Sequence, residues 1–202
     1  KGTTTVYVYS EKQIEHRHRE KAKRYEGLAK KIDKLRSQVT KDLGSDDPKT
    51  RLTALAVGLI DVTFERVGND GSADEGHYGV TGWLKEHVTF GKGKVTIKYV
   101  GKSGVSHEKV VDDAKLVKAL KDCCEDKKPG DPLLSFGKDD SEGLVKVSSR
   151  DVNAYLKPFD VTAKDIRGLH ANREMQDRLR AVRKKGGKLP TDKKEKEKVP
   201  ML

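Results

Sequence analysis

The nine residues "LTALAVGLI", positions 52–60, form the longest apolar stretch of a chain in which only 34% of residues are apolar and 37% are charged. They stand inside "DDPKTRLTALAVGLIDVTFERVGN", the clearest helical pattern in the sequence. Asp47 is placed to cap it, Pro48 takes the first helical position, and Leu52, Leu55, Ala56, Leu59, Ile60 and Val67 repeat with helical period. The stretch falls far short of the roughly 20 apolar residues that a membrane span needs. No segment reads as a span or a signal peptide, so no membrane partner is expected. At 202 residues the chain is long enough to bury a core.

A second long helical pattern precedes it. Ser10 is placed to cap "EKQIEHRHREKAKRYEGLAKKIDKLRSQVTKDL", Leu28, Ile32, Leu35 and Val39 fall at three- and four-residue spacings, and Gly44 closes the run. Ahead of it "TTTVYVY", residues 3–9, alternates like a short strand. Between Trp83 and Val111 the period changes to two: "HVTF", a "GKGK" turn, "VTIKYV", a "GKSG" turn, then "VSHEKVV". Three short antiparallel strands joined by tight hairpins are expected. Short helices are predicted near 112–122 and 148–157, with "KKPGDP" and "GKDDSEG" as loops between them. A last helix starts at Thr162, which can cap with Asp165, and runs to Gly186-Gly187. The expected class is α+β, mainly α: a helical core with a small three-stranded antiparallel sheet.

The chain carries 43 Lys+Arg against 32 Asp+Glu, and the excess sits at its two ends. Residues 11–41 hold 11 basic and 5 acidic residues, and residues 164–202 hold 13 and 6. Basic arms of this kind suit a polyanion, because neutralising phosphates releases counterions and gives salt-sensitive affinity; lysine- and glutamate-rich helices with solvated faces are the plainer account. The only cysteines, Cys123 and Cys124, are adjacent, which precludes an ordinary disulfide between them and points to a reducing, intracellular setting. The chain starts without methionine and stops after a lysine run, as a piece of something longer would.

Three basic residues stand out. Arg66, at 100° per residue, falls within about 20° of Leu55 and Leu59, on the inward stripe of its helix. An inward arginine serves either a buried ion pair or a bidentate phosphate clamp. Arg167 lies beside Ile166 and Leu169 in the second turn of the last helix, and Lys102 stands on the "GKSG" hairpin tip. Singly, each has an ordinary structural reading. His16 and His18 fall on different helix faces, and His77, His87 and His107 lack ligand spacing, so no metal site is expected. No phosphate-cradling Gly-rich motif is present, and no cofactor is implied.

Taken in order, "LTALAVGLIDVTFERVGND", "GHYGVTGWLKEHVTF", "IKYVGKSGVSHEKVV" and "VTAKDIRGLHANREM" resemble, block by block, the catalytic core of the type IB DNA topoisomerases, over roughly residues 20–182. The resemblance implies a DNA breaking-rejoining fold and an activity that relaxes supercoils through a transient 3′-phosphotyrosyl link. It implies Arg66, Lys102 and Arg167 as catalytic residues, Lys102 being the general acid toward the departing 5′-oxygen, and Gly68, Asn69 and Lys164 as DNA contacts. Where nuclear members carry threonine after the second arginine, this chain has Gly168. The family's histidine and nucleophilic tyrosine, expected downstream of Arg167, have no counterpart: the only later histidine, His170, is too close in sequence, and the last tyrosine is Tyr155. The nucleophile is therefore expected from a further C-terminal segment or a second chain, and these residues alone should not cut DNA.

The implied organisation is a strand and basic helix leading into the core over 1–47, the catalytic core over 48–185, and a charged, mobile tail over 186–202. Double-stranded DNA is the expected partner, without ATP or metal, in an intracellular, DNA-associated location such as a nucleus, nucleoid or viral factory. The residue types suit the chemistry independently. Two permanently charged, fork-shaped guanidiniums stabilise a pentavalent, anionic phosphorus, and a rigidly placed ammonium protonates a poor alkoxide leaving group. A tyrosine recombinase shares this logic but usually carries His-x-x-Arg where "KDIR" has lysine; a non-catalytic DNA-binding module is the alternative from another class.

Overall fold

The computed structural model describes residues 7–69, 71, 73, 75–137 and 143–184. Helix α1 (Glu11–Asp42) opens with a reciprocal cap: the Gln13 amide donates to the Ser10 hydroxyl, and the Ser10 amide donates to the Gln13 side chain at 3.0 Å. Helix α2 (Pro48–Thr63) starts under Asp47, which accepts from the Lys49 and Thr50 amides, with Pro48 where a missing N–H costs nothing. Strands β1 (Val88–Phe90), β2 (Val95–Val100) and β3 (Ser106–Val111) follow, then α3 (Ala114–Cys124), β4 (Ser135–Gly137), β5 (Leu144–Lys146), α4 (Ser149–Leu156) and α5 (Ala163–Lys184). The fold is mainly helical α+β, with a three-stranded antiparallel sheet in the order β1-β2-β3 and a two-stranded sheet, β4-β5.

Helix α2 is the centre of the molecule. Every residue from Leu52 to Asp61 is buried, and α1, α3, α4, α5 and β3 pack around it. A helix apolar on all sides is stable only when covered on all sides. Full burial of side chains such as Leu55, Leu59 and Ile60 contributes about 1.5–3 kcal/mol each. Helix α1 supplies Leu28, Ile32, Leu35 and Val39, and α5 supplies Ile166 and Leu169. The sheet turns Val88, Val95, Ile97, Tyr99 and Val111 inward, at the alternation its register requires, with Val88 opposite Ile97 and Val95 opposite Val111. Cys123 and Cys124 are both free. Among the described residues no helix is long and apolar enough to cross a membrane.

Two expectations change or fall away, and one element, the β4-β5 ribbon, is new. Tyr7–Tyr9 form no strand: Val8 is 90% exposed, and Tyr9 lies instead beneath the Arg17 guanidinium at 3.8 Å. Alternation specifies a strand only where a partner strand pairs with it; residues 1–6 lie outside the described residues. The β4-β5 ribbon, flanking the "GKDDSEG" segment, carries too few residues per strand to show a period. The charged segment 186–202 lies outside the described residues.

Candidate active site

Arg66 does not lie on an inward helix stripe. Helix α2 stops at Thr63, whose hydroxyl donates back to the Leu59 carbonyl at 2.6 Å, and Phe64 turns left-handed at φ 60°. The turn exposes Arg66 and buries Glu65 in its place, at 8% exposure. The 100° arithmetic fails because it continues a helix that has ended. No glycine marks the stop.

The segment that carries Arg66 is stitched to the loop before β1. The Val80 amide donates to the Arg66 carbonyl at 2.9 Å, and the Thr81 amide and hydroxyl both donate to the Val67 carbonyl at 2.8 Å. Two residues before Val80, the Tyr78 amide donates to the Val100 carbonyl at the end of β2, again at 2.8 Å. Backbone hydrogen bonds thus tie the Arg66 segment to the strand that leads into the Lys102 hairpin. The crossing is closest at two glycines: Gly68 takes φ +96°, and a Cβ on Gly79 would stand 2.5 Å from the Gly68 Cα and nitrogen.

Lys102 is exposed at the tip of that hairpin. The turn closes with the Gly101 amide on the Val105 carbonyl at 2.7 Å, while Ser103 and Gly104 take φ 66° and 72°. Two successive left-handed residues match the twist of the flanking strands. His107 braces the hairpin base by stacking on Tyr99, with centroids 5.2 Å apart.

Arg167 approaches from α5. Thr162 starts that helix by donating both its amide, at 3.0 Å, and its hydroxyl, at 2.7 Å, to Asp165. Arg167 Nε donates to the Phe64 carbonyl at 2.7 Å, which leaves its two Nη groups free of that bond. Burial pulls its pKa below the ordinary arginine value, and the neighbouring charge of Arg66 adds to this. Glu65 supplies the counter-charge. Burial opposes its ionisation, but the Tyr99 hydroxyl and Lys109, at 2.9 Å, outweigh burial and leave its pKa lowered. Burial, and then Glu65 itself, push the Tyr99 hydroxyl far above its usual range. That hydroxyl meets the carboxylate without good hydrogen-bond geometry.

Arg66, Lys102 and Arg167 line one cleft of about 550 Å³, together with Gly68, Asn69 and Lys164. All six residues singled out in the sequence are therefore brought together. The side chains of Arg66, Lys102 and Lys164 make no hydrogen bond or ion pair among the described residues. Glu75 is the one carboxylate among the lining residues described, so the cleft favours an anion. Glu75, His77, Tyr78 and Ser103 also line it and were missed in the sequence. The block "GHYGVTG" was the available signal for His77 and Tyr78, and the "GKSG" turn for Ser103.

Residues 10–200 match the family described as eukaryotic DNA topoisomerase I, catalytic core. The chain belongs to that family. It is 29% identical over 182 residues to DNA topoisomerase 1B of Acanthamoeba polyphaga mimivirus, covering 82% of this chain and 51% of that protein. It is 31% identical over 159 residues to DNA topoisomerase 1 of Candida albicans, covering 77% of this chain and 19% of that protein. The chain thus spans about half of one relative and a fifth of the other.

For a topoisomerase core, Gly168 has a visible reason. A Cβ there would fall on the Tyr25 hydroxyl and ring, so the glycine admits the α1 tyrosine against α5. Tyr155, the last tyrosine in the sequence, donates its hydroxyl to Asp42 at 2.7 Å, and burial with that carboxylate raises its pKa well above normal. A phenol held in that state is a poor nucleophile.

The Gly68–Gly79 crossing is testable in this topoisomerase core. Gly79→Ala should lower stability by about 1–3 kcal/mol in urea unfolding, the usual range for forced overpacking. Gly130→Ala serves as the control, because a Cβ there meets nothing within 4 Å. Equal stability of the two variants would show that the crossing is not as tight as the backbone distances say.

Proposed function

We propose that this chain is the phosphate-activating part of a DNA-relaxing enzyme that cuts one strand of duplex DNA through a 3′-phosphotyrosyl link and reseals it. The observation that carries the reading is the convergence of Arg66, Lys102 and Arg167, from three separate segments, on one anion-accepting cleft. In this reading the Arg66 and Arg167 guanidiniums hold the non-bridging oxygens of the scissile phosphate and stabilise the charge that builds as the tyrosine oxygen attacks. Lys102 gives its proton to the departing 5′-oxygen and takes one back on religation. Lys164, Gly68 and Asn69 hold the backbone next to the break. The nucleophilic tyrosine comes from outside these 202 residues, and the core proper spans 48–185.

The basic outer faces of α1 and α5 fit the same reading. Every residue from Glu11 to Arg24 is exposed, as are most of those from Ala171 to Lys184. They would lie along phosphates and give DNA affinity a steep salt dependence. The protein is then DNA-associated wherever its genome resides.

The test is plasmid relaxation by the full-length protein in EDTA without ATP, with the protein–DNA adduct trapped by detergent. Relaxation and a covalent 3′ adduct are expected. A folded full-length protein that binds duplex DNA yet yields neither would favour the second reading, a non-catalytic DNA-binding module, which the engaged state of Tyr155 also fits.

A further inference from the structure

Helix α5 grips Phe64 twice. Arg167 holds its carbonyl at 2.7 Å, and His170, one turn on, stacks on its ring with centroids 4.2 Å apart and planes 27° from parallel. Phe64 needs such support. It takes the left-handed conformation at φ 60° and ψ 22°, which is unfavourable for any residue with a Cβ, and no glycine or asparagine stands there to ease it. The core does not hold the ring, which is 48% exposed. What meets it is His170, whose side chain is only 11% exposed.

His170 is itself aimed. Its Nε2 lies 2.7 Å from Asp61 Oδ1, and Arg36 of α1 donates from Nε to Asp61 Oδ2, also at 2.7 Å. Asp61 is buried in the last full turn of α2. Burial opposes its charge, yet the bonds from His170 and Arg36 outweigh burial and keep the carboxyl more acidic than normal. Three helices therefore meet at one carboxylate, one turn from the cleft. The chain of contacts runs from Arg36 through Asp61 and the His170 ring to Phe64, and from the Phe64 carbonyl to Arg167.

We infer that His170 is a positioning residue for Arg167: by stacking on Phe64 it stabilises the left-handed turn that aims the Phe64 carbonyl at Arg167 Nε, which directs the two Nη groups to the cleft. The role does not require His170 to touch DNA. Its catalytic meaning rests on the proposed task of Arg167 as a phosphate ligand, but its structural content does not.

The experiment is therefore run on this chain without DNA. The Nε–H resonance of Arg167, assigned by its loss in Arg167→Lys, is followed in proton–nitrogen correlation spectra at low temperature. In the wild type it should stand apart from the other arginines and exchange slowly with water. In His170→Ala it should move to the free-arginine position, and in His170→Phe, which keeps a ring to stack, it should stay. The decisive background is Phe64→Gly. Glycine adopts the left-handed turn unaided, so the resonance should stay in Phe64→Gly and His170→Ala should no longer move it. An unchanged resonance in His170→Ala overturns the inference, and so does an equal effect of that change with glycine at 64. Should His170→Ala fail to fold, Phe64→Ala asks the same question at a half-exposed side chain, and a retained signal there also overturns it. In the complete enzyme, His170→Ala should slow cleavage by up to about 10²-fold with unchanged DNA affinity, as misaimed groups do. Spectral success with no relaxation by the wild type would leave the positioning standing and remove the proposed reaction.

Discussion

Lys102→Ala in the complete enzyme should slow DNA cleavage by about 10²–10⁴-fold, the range that general acid catalysis supplies, while duplex affinity stays nearly constant. Lys102 stands exposed at a hairpin tip and braces nothing, so its loss should leave the fold intact. One phosphate-reaching cation fewer should lower the salt slope by about one unit at most, because many basic residues on α1 and α5 share that attraction. The leaving group supplies the discriminating test. An alkoxide leaves poorly unprotonated, whereas a thiol ionises near pH 8.5 or so and leaves as the thiolate. A substrate with sulfur in place of the bridging 5′-oxygen should therefore be cut by Lys102→Ala within about tenfold of the wild-type rate, since the proton-donation factor no longer applies. If sulfur restores nothing, Lys102 acts on the phosphate and not on the leaving group. If the alanine variant loses DNA binding, it is an anchor and the acid lies elsewhere.

The parts legible in the sequence were those specified by neighbouring residues. Asp47-Pro48 and Ser10 cap their helices as their placement implies, and the "GKSG" turn places Lys102 on a tight tip because left-handed conformers are needed there and Gly104 supplies one. The errors share a different cause. The end of α2 depends on Phe64 turning left-handed, which no local residue announces and which contacts from α5, more than 100 positions away, support. Helical arithmetic therefore gives Arg66 the wrong face, while the structure sets it in one cleft with Lys102 and Arg167. Glu65, which pairs with Lys109 and, with Tyr99, acts on the Arg167 charge, belongs like both of them to a pattern that reads locally as an ordinary strand or helix end. His170 stands too close in sequence to Arg167 to take the place of the family's downstream histidine. That nearness, one helical turn, is what lets both residues reach Phe64.

Arg167→Lys, conservative in charge, should cost about 10²–10³-fold in cleavage, the usual loss when a donor to developing charge is removed. The wild-type guanidinium commits Nε to the Phe64 carbonyl, which leaves the two Nη groups for phosphate in the proposed reaction. A single ammonium cannot reproduce a rigid fork that does both. The pH dependence should separate this geometric loss from a second, electrostatic one. Burial and the Arg66 charge already depress the Arg167 pKa, but an arginine starts so far above the working range that it stays charged throughout it. A lysine in the same place begins near 10.4 and feels the same two influences. Its residual activity should therefore fall with rising pH well before that of the wild type. Stability should move the other way. The folded variant holds its proton less tightly than the unfolded chain, so its penalty is full at low pH and is relieved as pH rises from the folded pKa through about 10.4. Cleavage that declines while the Tm difference from wild type narrows would show one lysine titrating in the cleft. Parallel pH profiles for the two proteins would mean that Arg167 lies farther from Arg66, or in wetter surroundings, than the site described.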